Sequence, residues 1–197
     1  MRSSRVIIGV VVLLLCLVWV WRYGSRSVPE QATPPVEIEE SRTSLLLKDG
    51  RLYHRGQTVD PFTGWMKDAY ADGVLRSRSF VSNGVLEGIS LGYYTNGVLQ
   101  VEEHFVEGVS HGMRRKWHPN GELESEAAIV RGELHGIYRS WDEQGRLRNE
   151  VEMKRGQPDG LSIAYFPSGF IKARVLMRQG QVIERDTFLE EERKTAP

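Results

Sequence analysis

The sequence of 197 residues has almost no cysteine and no net charge. Its one cysteine, Cys16, lies inside an N-terminal apolar run, so the rest of the chain can form neither an internal disulfide nor a thiolate metal site. The 26 basic residues balance the 26 acidic ones, and no basic stripe or polybasic block stands out. This composition argues against nucleic-acid binding, which needs a concentrated positive patch.

The charge balance is uneven along the chain. The only charged residues before Val28 are Arg2, Arg5, Arg22 and Arg26. Removing these 4 from the 26 basic residues leaves 22 basic against 26 acidic residues from Val28 onward, a net charge of −4. Because anionic bilayers repel a negative surface, this excess of acid disfavours a lipid-surface binder among the possible functions.

An uninterrupted apolar run covers residues 6–21. As a helix it would span roughly 24 Å, slightly less than a ~30 Å hydrocarbon core, and flanking arginines and Tyr23 extend it. Two interpretations are open: a cleaved signal peptide, with Ser25-Arg26-Ser27 as its one small-x-small site, or an uncleaved signal anchor. The length of the run favours the anchor, a single-pass transmembrane helix over residues 1–23. Arg2 and Arg5 bias its N-terminus inward, which places the rest outside the cytoplasm, in the periplasm if the host is bacterial.

Residues 24–43 are predicted to be a disordered linker. Pro29, Pro34 and Pro35 block regular structure, and four glutamates keep the segment solvated. The linker would hold the C-terminal part of the chain some distance from a bilayer.

Three glycine series recur after the linker with a period of 24 residues, and together they hold 15 of the 20 glycines. A fixed period of about 20–50 residues indicates a repeat architecture. The first series is Gly64, Gly88, Gly112, Gly136 and Gly160; the second is Gly73, Gly97, Gly121, Gly145 and Gly169; the third is Gly84, Gly108, Gly132, Gly156 and Gly180.

Four apolar columns recur in the same register, all at odd positions, while the even positions are mostly polar. This alternation predicts half-buried β-strands of about 6–8 residues. The first column is Trp65, Ile89, Met113, Ile137 and Leu161; the second is Ala69, Tyr93, Trp117, Trp141 and Tyr165; the third is Leu75, Leu99, Leu123, Leu147 and Ile171; the fourth is Val81, Phe105, Ile129, Met153 and Met177.

The second and third glycine series are predicted to close hairpin turns. Asp72-Gly73 and Asn96-Gly97 are typical hairpin signals. A three-residue loop at 71–73, with Gly73 left-handed, would pair Ala69 with Leu75 and put odd residues opposite odd residues. A loop at 82–84 closed by Gly84 would keep the same parity, so all four columns would share one face. The first series has no firm role; Gly88 would be a bulge or a close approach within a strand.

These repeats resemble the bacterial variant of the MORN repeat. Residues 111–123, HGMRRKWHPNGEL, follow its pattern, roughly Gly-x4-Tyr/Trp-x2-Asn-Gly-x-Leu, and the resemblance covers about residues 45–185. Ala69 departs from the pattern because it interrupts the aromatic column. The resemblance implies an antiparallel meander of hairpins and no catalytic residue. Bacterial members are often labelled antitoxin-like, and other members act as scaffolds or membrane-associated modules.

The expected fold is therefore all-β, an elongated single-layer antiparallel meander of 24-residue hairpin repeats plus one N-terminal transmembrane helix. A half-repeat at 44–63 would cap the array, residues 64–183 would form five full repeats, and 184–197 would form a C-terminal cap and tail, with a short helix near its end.

Two patterns suggest chemistry, and both have a simpler explanation in the repeat. Gly88-x-Ser90-x-Gly92 matches a nucleophile elbow but lies in a predicted strand rather than between a strand and a helix. Glu87, His111, His135 and Asp159 share one column, but their strands would be about 9–10 Å apart, too far for one metal ion. We expect no enzyme activity, no metal and no cofactor.

Tyr93, Trp117, Trp141 and Tyr165 form the candidate binding site, a row of aromatic side chains along the sheet. Core packing is the alternative role for them. The leading hypothesis is a non-enzymatic, membrane-tethered scaffold that presents this surface to a protein partner, because aromatics dominate interface hot spots. An antitoxin-like neutralising protein is the second hypothesis, an envelope hydrolase a third, and face-to-face self-association is a further option.

Overall fold

In the computed structural model, residues 38–190 are described, and most of them belong to β-strands. The predicted signal anchor at 1–23 and most of the predicted linker lie outside the described residues. Within residues 38–190 no helix is long and apolar enough to cross a membrane. The strands are β1 (Glu39–Ser41), β2 (Leu45–Lys48), β3 (Arg51–His54), β4 (Gly64–Ala69), β5 (Leu75–Ser82), β6 (Val85–Tyr93), β7 (Leu99–Val106), β8 (Val109–Ser110), β9 (Gly112–Trp117), β10 (Leu123–Val130), β11 (Glu133–Trp141), β12 (Leu147–Lys154), β13 (Gln157–Tyr165), β14 (Ile171–Arg178) and β15 (Gln181–Thr187).

One 13-stranded sheet contains all of these strands except β2 and β3, which form a separate pair. Its strands follow one another in chain order from β4 to β15, all antiparallel, with β8 as a short branch on β7. The five predicted repeats are the hairpins β4–β5, β6–β7, β9–β10, β11–β12 and β13–β14. The all-β antiparallel meander is therefore confirmed. The predicted C-terminal cap at 184–197 begins as a strand, because β15 extends to Thr187.

The predicted linker ends earlier than residue 43. Glu39–Ser41 pair in parallel with β4 as the first strand of the sheet, and a 3-10 turn follows at Arg42–Ser44. The Glu39 carboxylate accepts hydrogen bonds from Lys67 at 3.2 Å and from Arg78 at 3.1 Å. The Lys67 bond is the main cause of a lowered pKa of Glu39. Composition could not reveal this strand, because the cations that hold Glu39 are distant in sequence.

The second glycine series forms the turns predicted for it. Gly73 has a left-handed φ of 86°, Ala69 pairs with Leu75, and the Gly73 amide donates to the Tyr70 carbonyl at 2.9 Å. Gly97, Gly121, Gly145 and Gly169 make the equivalent bonds in the other four repeats. The three-residue loop is therefore confirmed in every repeat.

The three-residue loop predicted at 82–84 is wrong. Ser82 pairs with Val85, which leaves a two-residue turn of Asn83 and Gly84. Both residues have positive φ, 49° and 80°, as a type I′ turn requires. The Gly84 amide also donates to the Phe62 carbonyl at 2.8 Å, and every later turn of this series bonds to the preceding repeat in the same way.

In the first glycine series, Gly88, Gly136 and Gly160 lie within strands at a β-bulge, whereas Gly64 and Gly112 are the first residues of β4 and β9. Between the pairs Ser79–Ser90 and Val81–Leu86, three residues of β6 around Gly88 face one residue of β5. The φ of Gly88 is 70°, which favours glycine over any residue with a side chain. Each glycine of the series also pairs in register with the fourth-column residue of its own repeat, as Gly88 does with Phe105.

The expectation of one apolar face is wrong. In each repeat one residue of the second strand next to the loop, such as Arg76, has no partner and forms a bulge. Beyond the bulge, odd residues of the second strand therefore pair with even residues of the first. Trp65 consequently pairs with Phe80, and Val81 points to the opposite side from Trp65. We call the side that carries the fourth column face A, and the side that carries the first three columns face B.

Face A is the more buried side of the sheet. The buried side chains of the main sheet are Ser79, Val81, Ser125, Ala127 and Ile129, and all five lie on this face. Ser125 and Ala127 are small, and the longer side chains of their register partners, Lys116 and Arg114, lie beside them on this face. The bulge beside the loop in each repeat adds local twist to the sheet.

The β2–β3 hairpin covers face A at the first repeat. Leu45 of β2, Phe62 and Val81 form a buried cluster, and Met66 and Leu86 pack against it. The half-repeat was expected to extend a single layer, but it forms a second small layer at this end because its leucines pack on the fourth column. The single-layer prediction is corrected here.

Candidate interaction surface

The aromatic row lies on face B, at the ends of four strands. Tyr93, Trp117, Trp141 and Tyr165 are the last residues of β6, β9, β11 and β13. Each pairs in register with a third-column residue, as Trp117 does with Leu123 and Trp141 with Leu147. All four side chains are partly exposed. The row is therefore neither a closed core nor a set of freely solvated rings.

Side chains of the preceding repeat hold the backbone of this row. The Tyr70 hydroxyl donates to the Tyr93 carbonyl at 2.7 Å, and the Tyr94 hydroxyl donates to the Trp117 carbonyl at 2.8 Å. His118 Nε2 lies 3.0 Å from the Trp141 carbonyl oxygen. Sequence reasoning missed these anchors, although they form a column of their own directly after the aromatic column.

Asparagines in the loops make a second set of links between repeats. The Asn96 side-chain amide donates to the Pro119 carbonyl at 3.0 Å, and that of Asn120 donates to the Glu143 carbonyl at 2.7 Å. The equivalent positions later in the array are Gln144 and Ser168, for which no such link is found in the described residues. The loops of the second, third and fourth repeats are thus tied together by side chains that the last repeat lacks.

A ladder of alternating charge runs across face B beside the aromatic row. Neighbouring ladder residues pair in register across consecutive strands from β7 to β12. The ladder is Glu102, Arg115, Glu126, Arg139 and Glu150, with nitrogen–oxygen distances of 3.4, 3.9, 3.5 and 2.8 Å between successive members. Its sequence spacing alternates between 13 and 11 residues, a signal that could have been found without a structure.

The ladder is joined to the aromatic row at its far end. The Tyr165 hydroxyl donates to Glu150 Oε2 at 3.1 Å, while Glu150 Oε1 accepts from Arg139. The hydrogen bond from Arg139 is the largest cause of a lowered pKa of Glu150. The same bond is the largest cause of a raised pKa of Arg139. Each pair is partly exposed and adds little stability alone, but a connected ladder fixes the orientation of its members.

Apolar side chains flank the ladder on its other side. Ile137 and Leu161 of the first column are exposed, as is Leu176 of β14. At the first repeat, Arg78 lies over the Trp65 ring, 4.0 Å from its centroid. Face B therefore presents three parallel bands, namely the aromatic row with its leucines, the charge ladder and a partly exposed apolar band.

The two patterns that suggested chemistry fall in the middle of strands or beside turns. Ser90 lies within β6, and its hydroxyl is 2.7 Å from the Ser79 hydroxyl. The Glu87 carboxylate accepts a hydrogen bond from the Glu107 amide at 2.8 Å. Over residues 38–190 no three histidine, cysteine, aspartate or glutamate side chains are grouped so that they could hold a metal ion.

Comparison with known families identifies the repeats. Residues 86–107 and 110–127 match the model of the MORN repeat variant. The first match covers most of the β6–β7 hairpin and the second covers β9 and much of β10. A search of curated proteins finds no match for the chain. The other three hairpins repeat the same glycine pattern and turns. The chain therefore contains MORN repeats, matched at residues 86–107 and 110–127.

Proposed function

We propose that this protein is a non-enzymatic scaffold, tethered to a membrane by its N-terminal apolar run, whose repeats present face B to a protein partner. The observation that carries the proposal is the aromatic row, in which four large rings recur along the array and all stay partly exposed. Tyrosine and tryptophan are enriched among the residues that contribute most to binding energy at protein interfaces.

The backbone of the aromatic row is held by hydrogen bonds from neighbouring repeats. The carbonyls of Tyr93, Trp117 and Trp141 are each held by a side chain of the preceding repeat. A surface that is already fixed loses less conformational entropy on association. This preorganisation supports a binding role for the row, since core packing alone would not need the backbone of a partly exposed edge to be held so regularly.

The charge ladder limits the kind of partner that fits. Its three glutamates are bonded to its two arginines, so the ladder offers few free charges. A partner would therefore contact the aromatic and apolar bands through apolar side chains and meet the ladder as a polar boundary. Membrane tethering, with the repeats outside the cytoplasm, rests on the apolar run at 6–21 and the arginines around it.

Replacing Trp117 and Trp141 together by alanine tests this function. We expect the free energy of binding to the partner to become less favourable by at least about 2 kcal/mol, because the two central rings of the row are removed. The partner would first be identified by proximity labelling with the full chain in its host, and its affinity for native and variant chains would then be measured.

Tyr138→Ala is the matched control, since Tyr138 is an aromatic residue of β11 that alternates with Arg139 and lies on face A. It should leave the affinity unchanged. If the double variant stays folded and binds the partner as tightly as the native chain, the row has only a packing role and the proposal fails. A partner that is itself toxic to the host would instead favour the antitoxin-like function.

A further inference from the structure

An open groove of about 500 Å³, which we call the cavity, lies on face A between the β2–β3 hairpin and the first two repeats, and Leu47 at its border is 67% exposed. Leu47 and Leu52 of the hairpin line one side, and Met66 and Leu86 of the main sheet line the other. Gly50, Gly84 and Gly108, each at a turn, border the space and add no side chain to fill it. The cavity falls within the usual size range of about 300–1,000 Å³ for small-molecule sites.

Among the described residues, the only charged ones that line the cavity are Arg42 and Arg55. They lie at the open end of the hairpin, where the Arg55 amide donates to the Ser44 carbonyl at 2.9 Å and Arg55 Nε donates to the Thr43 carbonyl at 2.6 Å. Within residues 38–190, no carboxylate forms an ion pair with either arginine. Glu40 lies near this end, but it accepts a hydrogen bond from the Ser44 hydroxyl and faces His54. The polar end of the cavity therefore favours an anion.

Several backbone polar groups along the cavity are already used. The Leu52 amide donates to the Gly84 carbonyl, and the Gly108 amide donates to the Leu86 carbonyl, each at 2.8 Å. The Leu52 carbonyl accepts from the Phe62 amide at 2.8 Å. A peptide placed here would lose water from its own amides without gaining partners, which is costly. A hydrocarbon chain has no such groups, so the walls suit it better.

We propose that this cavity binds an aliphatic carboxylate of the fatty-acid type. The chain lies between Leu47 and Leu52 on one side and Met66 and Leu86 on the other, and the carboxylate lies between Arg42 and Arg55. Two guanidinium groups provide charge-assisted hydrogen bonds to the carboxylate, and the apolar walls stabilise the chain by burial. The site is on the opposite face from the aromatic row and does not depend on the function proposed for that row.

The experiment is a titration of dodecanoate carrying a diazirine into the full chain, held in phosphatidylcholine nanodiscs, with empty nanodiscs as the blank. We expect saturable binding and, after irradiation, labelling of peptides that contain residues 45–52, Met66 or Leu86. Arg42→Gln should weaken dodecanoate binding, and the combined Arg42→Gln and Arg55→Gln variant should weaken it by at least about tenfold. Combining Arg42→Gln with Arg55→Lys, which keeps the charge at position 55, should restore part of the binding that is lost in the double glutamine variant.

Binding of dodecanol, the neutral analogue, should be weaker than that of dodecanoate in the native chain and unaffected by the arginine variants. Arg178→Gln, an exposed change at the far end of the array, is the matched control and should leave binding unchanged. Arg42 is exposed, so the Arg42→Gln variant is expected to fold even if the double variant does not. Binding that is not saturable, labels elsewhere in the chain, or equal binding of acid and alcohol in native and variant chains would each overturn the proposal.

Discussion

Replacing Ile129 by alanine is expected to lower the free energy of unfolding by about 2–4 kcal/mol. Ile129 is 2% exposed and lies on face A, where its register partners are Gly112 and Leu134. The truncation removes buried methyl groups, and glycine on one side has no side chain that could move into the space. Both the lost burial and the remaining cavity therefore destabilise the sheet.

Ile137→Ala is the matched control for this prediction. Ile137 lies in the next strand but on face B, and it is 47% exposed. Its truncation should cost about 1 kcal/mol or less, because much of the side chain already contacts water. Denaturant unfolding should be combined with amide hydrogen exchange, since repeat arrays can unfold in parts. Equal losses at the two positions would mean that face A is not the buried side.

Gly84→Ala is expected to destabilise the protein by about 2–5 kcal/mol. Gly84 has a left-handed φ of 80°, and a Cβ there would lie 2.8 Å from the Arg51 Cβ and 3.0 Å from the Leu52 amide nitrogen. The left-handed φ strains the backbone of an alanine at this position. The short contacts force the β2–β3 hairpin away from the first repeat, because neither the Arg51 Cβ nor the Leu52 backbone can rotate away from the new methyl group.

Gly97→Ala separates these two effects. Gly97 has the same φ of 80°, but no atom lies within 4 Å of a Cβ built there. Its substitution should cost only the left-handed strain, about 1–2 kcal/mol. The difference in melting temperature between the two variants measures the close approach of the hairpin. If both variants melt together, the hairpin does not pack on the first repeat as described.

The parts of the fold that could be predicted from sequence depend on short-range patterns. Alternation of apolar and polar residues located the strands, and Asp72-Gly73 with its equivalents located the three-residue loops. Both signals act over fewer than about ten residues and repeat five times, so chance variation in one repeat does not hide them.

The orientation of the fourth column could not be predicted in the same way. The bulge residue Arg76 is replaced by Gln100, Glu124, Arg148 and Lys172 in later repeats, and such polar residues also occur at regular strand positions. The type I′ turns were hidden for a similar reason. Asn83 favours left-handed backbone, but Glu107, Arg131, Arg155 and Gln179 adopt it at the same position without that preference. Packing across the sheet overrides local preference at these positions.

The candidate surface was predicted in part. The aromatic row was visible as a column, but its anchors depend on which strands are neighbours. Tyr94 reaches the Trp117 carbonyl, 23 residues away, only because the loops of adjacent repeats lie side by side. The charge ladder likewise appears once the register of consecutive strands from β7 to β12 is known.

The most direct test of the proposed docking on face B is photocrosslinking from two positions of β11. p-Benzoylphenylalanine would replace Trp141, on face B, or Tyr138, on face A, in the full chain in its host. The two sites are close in one strand, so the two variants are expected to match in expression and in access to the same cell compartment. We predict a specific crosslinked partner from position 141 and none from position 138. Crosslinks from position 138 alone would contradict docking on face B.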